Sequence, residues 1–260
     1  MKTELKNEVK EYLKNRKGNY SLYYRELLSD DEFKINENEV FLAASVIKIP
    51  IMIEYFRQLE DGLVDADEFL SAPLSERVGG SGILHELREN IEMKLSELVL
   101  LMIVLSDNTA TNLVIEKLGI NNINNFLEKR NYESCLKRKM MDYESRKKGI
   151  ENYIKADEIG EILKDIYESN FTGISKESCE EMFSIMSRQK IRDKLSFYIP
   201  EDDWAKVASK TGTLDKVEHD ASIFNFANSK FVLVVLSKNL PTNAYGNVTI
   251  AKVAKKICGL

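Results

Sequence analysis

The segment 231–236, FVLVVL, constrains the fold of this 260-residue chain most strongly, because every one of its residues is apolar. A strand with one face in water alternates apolar and polar residues, so a strand without alternation is covered on both faces. Two segments of strand composition precede it, WAKVASKTG and HDASIFNFAN, and only short turns separate the three. We therefore predict three C-terminal strands in an antiparallel meander, with the last one covered on both faces.

Strand patterns also occur near the N-terminus, after an amphipathic helix with Leu5, Val9 and Leu13 on one face. NYSLYYREL and EVFLAAS have strand composition, and the acidic stretch SDDEFKINENE between them is predicted to be a turn. A doubly wound parallel sheet would need regular alternation of strands and helices, which is absent. We predict an α/β fold of the α+β kind: an antiparallel five-stranded sheet flanked by helices, with an inserted all-helical lobe.

The long middle of the chain is mainly helical in pattern. Helices are predicted at about 45–60, within 94–130, and at about 155–168, 175–188 and 243–258. The run LVLLMIVL is apolar on every side, so we expect it to form the buried axis of the helical lobe. The final helix is predicted to bury Val248, Ala251 or Ile250, Val253, Ala254 and Ile257.

The segment 131–153 has no clean period and is predicted to be a long loop, and such loops inside compact domains are usually functional. The chain as a whole is predicted to form a single domain, residues 1–260. Its sheet lobe would come from about 1–60 and 200–260, and its helical lobe from about 61–199.

Charge and composition exclude several classes of partner. A formal charge of −5 argues against nucleic acid or an anionic membrane as the main partner. Two histidines and three widely spaced cysteines indicate neither a metal centre nor a disulfide framework, so we expect no metal and no cofactor. The longest apolar run has eight residues, too few to span a bilayer. Without the apolar core of a secretory signal, we expect a cytoplasmic monomer, or a secreted protein if a leader precedes this sequence.

Ser45 and Lys48 stand in the apolar segment FLAASVIKIP. Burying a hydroxyl and an ammonium costs free energy unless other groups compensate them. On a helix, a spacing of three puts both on one face, and the helix N-terminus favours a developing oxyanion. A poorly solvated lysine loses its charge readily and can act as a base. The pattern alone is weak, because Ser-x-x-Lys occurs four times here and a helix N-cap followed by a surface lysine also explains it.

Two further motifs strengthen the interpretation. SDN occurs once, at 106–108 between two predicted helices, and KTGT occurs once, at 210–213 on a predicted strand. Ser-x-x-Lys, Ser-Asp-Asn and Lys-Thr-Gly in this order form a recognised set for acyl transfer.

Through these motifs the chain resembles the penicillin-recognising serine hydrolases, and most closely the class A β-lactamases, over roughly residues 40–258. The segments GGSGIL at 79–84 and LMIVLSDNTATNLV at 101–114 look like that family's loop and helix pair. The resemblance implies a β-lactamase/transpeptidase-like fold.

The resemblance also implies four catalytic residues. Ser45 would be the acylated nucleophile, and Lys48 its neighbouring base. Ser106 would pass a proton to the departing nitrogen, and Lys210 would set the electrostatics of Ser106.

Substrate binding would fall, by the same resemblance, to Asn108, Thr211, Gly212 and Thr213. Asn108 would bind the amide side chain of the substrate, and the two threonines would meet its carboxylate. The backbone N–H groups of Ser45 and Thr213 would form the oxyanion hole, where loss of one donor typically costs about 10²–10³ in rate.

The loop at 131–153 departs from the class A pattern. Family members carry a Leu-x-Arg-x-Glu sequence whose glutamate activates the deacylating water, whereas LKRKM places Met140 there. Asp142, two residues on, is a candidate replacement acid; alternatively it is a solvated acid that balances Lys137, Lys139 and Lys147.

A second departure concerns the arginine with which family members often clamp the substrate carboxylate. No arginine follows Arg192, and Glu218 lies in that region. Lys216 is a candidate substitute.

The leading functional hypothesis is a serine β-lactamase that works through an acyl-enzyme. Two alternatives stay open: a D,D-peptidase or esterase of the same fold, and a binding or sensor protein that a β-lactam acylates once. The expected partner is a small-molecule β-lactam, ester or peptide substrate.

Overall fold

The computed structural model describes residues 1–87 and 91–260. Its helices are α1 (Thr3–Lys14), α2 (Lys48–Glu60), α3 (Leu95–Val104), α4 (Asn108–Leu118), α5 (Ile120–Glu128), α6 (Tyr143–Lys147), α7 (Ala156–Glu168), α8 (Lys176–Ser187) and α9 (Asn243–Cys258). Its strands are β1 (Asn19–Glu26), β2 (Glu32–Ile35), β3 (Phe41–Leu42), β4 (Phe69–Ala72), β5 (Ile91–Lys94), β6 (Tyr153–Ile154), β7 (Val207–Leu214), β8 (Val217–Phe226) and β9 (Ser229–Lys238).

The main sheet has five strands in the order β2-β1-β9-β8-β7, and every neighbouring pair is antiparallel. Both ends of the chain contribute to it, as predicted, and β7, β8 and β9 form the predicted meander. Strand β7 is the edge strand at one side of the sheet.

Strand β9 is covered on both faces, which confirms the prediction from its unbroken apolar run. Val232, Val234 and Leu236 join the core on the side of the larger helical cluster. Phe231, Leu233 and Val235 join a second core, which includes residues of α1 and α9.

The second predicted strand was placed wrongly. The sheet partner of β1 is β2, inside the acidic stretch that was predicted to be a turn. Phe33 and Ile35 alternate there with charged residues and pack against the second core, which suits a half-buried edge strand. The predicted strand at 39–45 contains only the short β3, which pairs with β6 outside the main sheet.

The helices cover both faces of the sheet. Helices α2, α3, α4 and α5 pack on one another, and the apolar α3 is mostly buried among them, as predicted. Helix α7 packs on β1, β8 and β9, and α8 packs on β7. The division into two lobes stays a prediction; α7 and α8 contact the sheet although the sequence assigned them to the helical lobe.

Helix α9 buries Ile250, Ala251, Val253 and Ala254, but Val248 is exposed. The prediction for Val248 was wrong because Val248 precedes Ile250 by two residues, about 200° around the helix and therefore on its other face. No helix within residues 1–87 and 91–260 is long and apolar enough to cross a membrane.

Candidate active site

Ser45 lies on a short 3₁₀ turn, Ala44–Ile47, which leads directly into α2. Side chains three residues apart eclipse one another on a 3₁₀ turn, so Ser45 and Lys48 share a face, as the spacing predicted. Ala44 has a φ of 45°, in the left-handed region that L-residues rarely adopt. The nucleophile candidate therefore follows a strained residue at the start of a buried helix.

Lys48 is completely buried, and other elements supply its contacts. Its Nζ lies 2.7 Å from the Ser106 carbonyl oxygen, 2.9 Å from Asn108 Oδ1 and 3.1 Å from Ser106 Oγ. Within the described part of the chain, Lys48 has no hydrogen bond with Ser45 Oγ.

Lys210, on β7, reaches the same hydroxyl from the other side. Its Nζ lies 3.1 Å from Ser106 Oγ and donates to the Thr211 carbonyl oxygen at 2.9 Å. Ser106 connects α3 and α4 with a φ of 55°, a conformation that allows its hydroxyl to meet both lysines. Three sequence-predicted catalytic residues are thus joined through one oxygen atom.

Burial lowers the pKa of both lysine amines. Burial, reinforced by the charge of Lys210, holds the pKa of Lys48 well below its usual range. Burial and the charge of Lys194 lower the pKa of Lys210 to about 7. Near neutral pH, Lys210 is therefore about half protonated.

The contacts of Lys48 suit a neutral amine. The Ser106 carbonyl and Asn108 Oδ1 only accept hydrogen bonds, so they take up the two N–H donors of a neutral amine. Its lone pair is then left for a hydroxyl proton. Lys48 can pass an accepted proton on to Ser106, because Ser106 Oγ lies within hydrogen-bond distance of Lys48 Nζ.

A cleft of about 310 Å³ is lined by several of the remaining predicted residues. Its walls include Ser45, Asn108 and Thr213 together with the apolar side chains of Leu42, Met140, Met141 and Leu214. Gly212 packs against the nucleophile turn: a methyl group there would lie 3.1 Å from the Ser45 nitrogen. Thr211 is buried, and its carbonyl oxygen accepts a hydrogen bond from Lys210 Nζ.

Asp107 holds the glycine-rich loop at 79–84 against the start of α4. Its Oδ2 accepts hydrogen bonds from the N–H groups of Ile83 at 2.6 Å and Leu84 at 2.9 Å. Its Oδ1 caps α4 by accepting from the Ala110 N–H at 2.9 Å. A Cβ at Gly82 would lie 2.2 Å from Asp107 Oδ2, so only glycine permits this approach.

The loop 131–153 contains the short α6 and ends where β6 begins, at Tyr153, which forms an isolated bridge with Cys135. Arg138 and Glu151 tie its two sides together with contacts of 2.6 and 2.9 Å. Asn112 holds Met140 by its backbone, accepting from the N–H at 2.7 Å and donating to the carbonyl at 3.0 Å. The fold therefore fixes the backbone at 140 beside the cleft, but the side chain there carries no acid.

Asp142 also lines the cleft, but Ser145 occupies both of its carboxylate oxygens. Oδ1 accepts from the Ser145 N–H at 2.9 Å and Oδ2 from the Ser145 hydroxyl at 2.6 Å, which caps α6. These hydrogen bonds lower the pKa of Asp142. Its role as a replacement acid stays a prediction. Lys139 and Lys147 pair with Glu116 and Glu144, and not with Asp142.

Thr213, at the far end of the cleft, donates its hydroxyl hydrogen to Glu218 Oε2 at 2.8 Å. Lys194 lies 3.0 Å from the same Glu218 oxygen, and both side chains are 1% exposed. Sequence reasoning missed Lys194 because it lies in a loop, without a motif, before β7. Lys216, the substitute that the sequence suggested, is exposed in the turn between β7 and β8.

His219 and Asp220 are both buried, but they are not bonded to one another. His219 lies 2.8 Å from the Leu42 carbonyl, and Asp220 accepts from the Leu195 N–H at 2.9 Å. Consecutive residues of a strand point to opposite faces. From the sequence, His219 and Asp220 are predicted to be a hydrogen-bonded structural pair; both have structural contacts, but they do not form a pair.

Within residues 1–87 and 91–260, no group of three or more His, Cys, Asp or Glu side chains could hold a metal ion.

Two of three comparisons relate this chain to known proteins. A family model described as the beta-lactamase enzyme family matches residues 4–259. A β-lactamase from Sphaerobacter thermophilus is 27% identical, with a TM-score of 0.88 over 96% of this chain and 94% of that one. A comparison with curated proteins finds no match.

Two further solved structures are less than 25% identical and show the same fold. A β-lactamase from Chitinophaga pinensis is 22% identical, with a TM-score of 0.89 over 98% of both chains. The protein PBP-A is 23% identical, with a TM-score of 0.86 over 98% of this chain and 94% of that one.

Proposed function

Because this chain belongs to the beta-lactamase enzyme family, we propose that it hydrolyses β-lactams by acylation of Ser45 and hydrolysis of the resulting ester. Family and fold together make the chain a serine hydrolase. One set of contacts supports the finer proposal most: Lys48 Nζ and Lys210 Nζ each lie 3.1 Å from Ser106 Oγ. Lys48 Nζ also lies 2.9 Å from Oδ1 of Asn108, which lines the same cleft as Ser45.

Acylation would use these groups in sequence. Ser45 Oγ attacks the lactam carbonyl carbon, and its proton passes to the neutral amine of Lys48. The N–H groups of Ser45 and Thr213 stabilise the negative charge that develops on the carbonyl oxygen. As the C–N bond breaks, Ser106 gives its hydroxyl proton to the ring nitrogen and recovers a proton from Lys48. Lys210 stabilises the negative charge that develops on Ser106 Oγ.

Hydrolysis of the ester then needs a base beside a water molecule. Met140 stands where the related β-lactamases have a glutamate, and Ser145 occupies the oxygens of Asp142. These two observations favour a second candidate function, a penicillin-binding protein whose acyl-enzyme is released slowly.

A chromogenic cephalosporin separates the candidates. Steady turnover supports the hydrolase, whereas a burst equal to the enzyme concentration with a persistent mass increase supports the slowly released acyl-enzyme. Cleavage of an ester or of a D-Ala-D-Ala peptide without a burst supports the peptidase or esterase.

The Ser45→Ala variant tests the nucleophile. Without the hydroxyl there is no oxygen to acylate, so turnover and the mass adduct should both disappear. Ser134→Ala, at another Ser-x-x-Lys sequence away from the cleft, should retain both. Turnover that survives in Ser45→Ala contradicts the proposal.

A further inference from the structure

The cleft beside Ser45 has an apolar wall that comes mostly from the loop at 131–153. Its larger apolar side chains there are Leu42, Met140, Met141 and Tyr143. Tyr143 is 55% exposed although it is a large aromatic residue. Gly80 lines the same cleft and has no side chain to fill it. The cleft therefore offers apolar surface that the protein itself leaves uncovered.

Met141 lies beside the amide group of Asn108. A Cβ at Gly80 would lie 2.8 Å from Asn108 Nδ2 and 3.3 Å from Met141 Sδ, so both atoms border the same small space. Asn108 donates one amide hydrogen to the Gly79 carbonyl oxygen at 3.0 Å, which leaves its other amide hydrogen for a substrate. A substrate amide held by that hydrogen would place its acyl side chain next to Met141.

Met141 also separates the cleft from a second groove of about 360 Å³. The residues that line both spaces are Met140, Met141 and Asp142. Beyond Met141, the groove is lined by the apolar side chains of Val78 and Leu113. Lys139 and Glu116 line it too, and they pair with one another at 2.7 Å. Removal of the Met141 side chain would therefore join two spaces that both have apolar walls.

The charged side chains that line the cleft have partners within the loop. Arg138 and Arg146 lie 2.6 and 3.1 Å from the Glu151 carboxylate, and Asp142 accepts two hydrogen bonds from Ser145. The Arg146 side chain is still 44% exposed. An acyl side chain that ends in a carboxylate is therefore the alternative to an apolar one.

We propose that Met141 is a specificity-determining residue that limits the length of an apolar acyl side chain on the substrate. The preferred substrates carry a hydrocarbon group on the acyl side, and the Met141 side chain ends the space available to that group. The inference rests on the acyl transfer at Ser45 proposed above and names the substrate class for it.

The first test uses penicillins that differ only in the acyl group on 6-aminopenicillanic acid, an unbranched series from acetyl to dodecanoyl. Intact-mass spectrometry measures the rate at which each forms an adduct on Ser45. A fully buried methylene accounts for about fourfold and this cleft is partly open, so we expect about twofold per methylene until the chain reaches Met141, and then a plateau. Rates within about threefold of one another across the series overturn the inference.

An adipoyl group separates the apolar from the anionic alternative, because it has as many carbons as hexanoyl but ends in a carboxylate. We expect the adipoyl derivative to react more slowly than the hexanoyl derivative, since its carboxylate loses hydration at an apolar wall. A faster reaction of the adipoyl derivative would assign the site to Arg146 and overturn the inference.

The second test is Met141→Ala, which removes the side-chain atoms beyond Cβ. Met141 has a φ of 60°, and alanine adopts this conformation no less readily than methionine. The plateau should move to chains about three carbons longer, the length of the atoms removed. Ile150→Ala is the matched control, because Ile150 is 39% exposed in the same loop and lines neither space, and its profile should equal that of the wild type.

An unchanged profile in a folded Met141→Ala protein overturns the inference. If that variant does not fold, Met141→Gly replaces it, because glycine suits a positive φ. Adducts that form on Ser45 at the same rate with every chain length overturn the inference alone. If none of the penicillins forms an adduct on Ser45, the proposed acylation fails, and the inference fails with it.

Discussion

At the scale of single residues, the predicted acylation residues and the loop at 131–153 differ in their contacts. Lys48, Ser106 and Lys210 are joined by contacts of about 3 Å, whereas in the loop Met140 carries no acid and each oxygen of Asp142 accepts a hydrogen bond from Ser145. The sequence could single out these positions because each is recognised by residue identity within a motif, and their catalytic roles stay predictions. The contacts of Glu218 could not be predicted in this way, because its ion-pair partner Lys194 and its hydrogen-bond donor Asn243 belong to no motif.

Met140→Glu should speed release of the acyl-enzyme. Asn112 already fixes the backbone at 140, so a glutamate there would present a carboxylate to the cleft. General base catalysis typically contributes about 10²–10⁴ in rate, and we expect a gain of that order in the deacylation rate constant. Single-turnover mass spectrometry of the penicillin adduct measures it. Met140→Gln, of similar size but without a base, should give no such gain; an equal gain in that control would contradict the explanation.

The pH dependence of acylation should reflect Lys210. The charged form is the one that stabilises Ser106, and burial lowers the pKa of Lys210 to about 7, so the rate should fall as the pH rises through 7. Lys210→Arg keeps its charge at alkaline pH, so its rate should not fall until above about pH 10. The acylation rate is measured from pH 5 to 10 for the wild type and for Lys210→Arg. The two proteins are compared by the shape of their pH profiles and not by the absolute rates. An alkaline limb near pH 7 that persists in Lys210→Arg would show that another group causes it.

At the scale of elements, the site depends on where α2 and α4 begin. The 3₁₀ turn at 44–47 presents Ser45 at the start of α2, and Asp107 caps α4 while holding the loop at 83–84. The sequence predicted both helix starts, because a capping residue and a change in hydrophobic period are local signals. It could not predict that the Asp107 carboxylate both caps α4 and accepts hydrogen bonds from the loop at 83–84.

Asp107→Ala should destabilise the protein by about 2–4 kcal/mol, because a cap is lost and two further N–H groups lose their acceptor. Urea unfolding followed by circular dichroism gives the free energy of unfolding. Asp142→Ala, which removes the cap of the short surface helix α6, should cost about 1 kcal/mol. Equal losses in the two variants would contradict the dual role of Asp107.

At the scale of the whole molecule, the catalytic candidates come from elements far apart in the chain. Ser45 and Lys48 stand at the start of α2, Ser106 lies between α3 and α4, and Lys210 is on the edge strand of the sheet. The site therefore exists only when the helices and the sheet are packed together. Close contact between α7 and the sheet is part of that packing: a Cβ at Gly160 would lie 2.1 Å from the Tyr23 ring.

Gly160→Ala should therefore destabilise the protein, although alanine is the better helix former. We expect a net loss of about 1–3 kcal/mol, the usual cost of overpacking a core. Thermal and urea unfolding measure it. Gly79→Ala is the matched control, since a Cβ there meets nothing within 4 Å and it should change stability little. A Gly160→Ala protein as stable as the wild type would show that α7 can shift away from the sheet.

The sequence by itself determined the strands of the meander, the burial of FVLVVL on both faces and the order of the long helices, and it predicted the motif residues that meet at Ser106. These depend on hydrophobic period and on spacing along the chain, which are local properties. Only the tertiary structure decided that β2 lies in the acidic stretch, that Val248 faces outward, that Asp142 is occupied as a cap and that Lys194 balances Glu218. Each of these depends on which distant groups approach within a few ångströms, and packing sets that distance whereas sequence spacing does not.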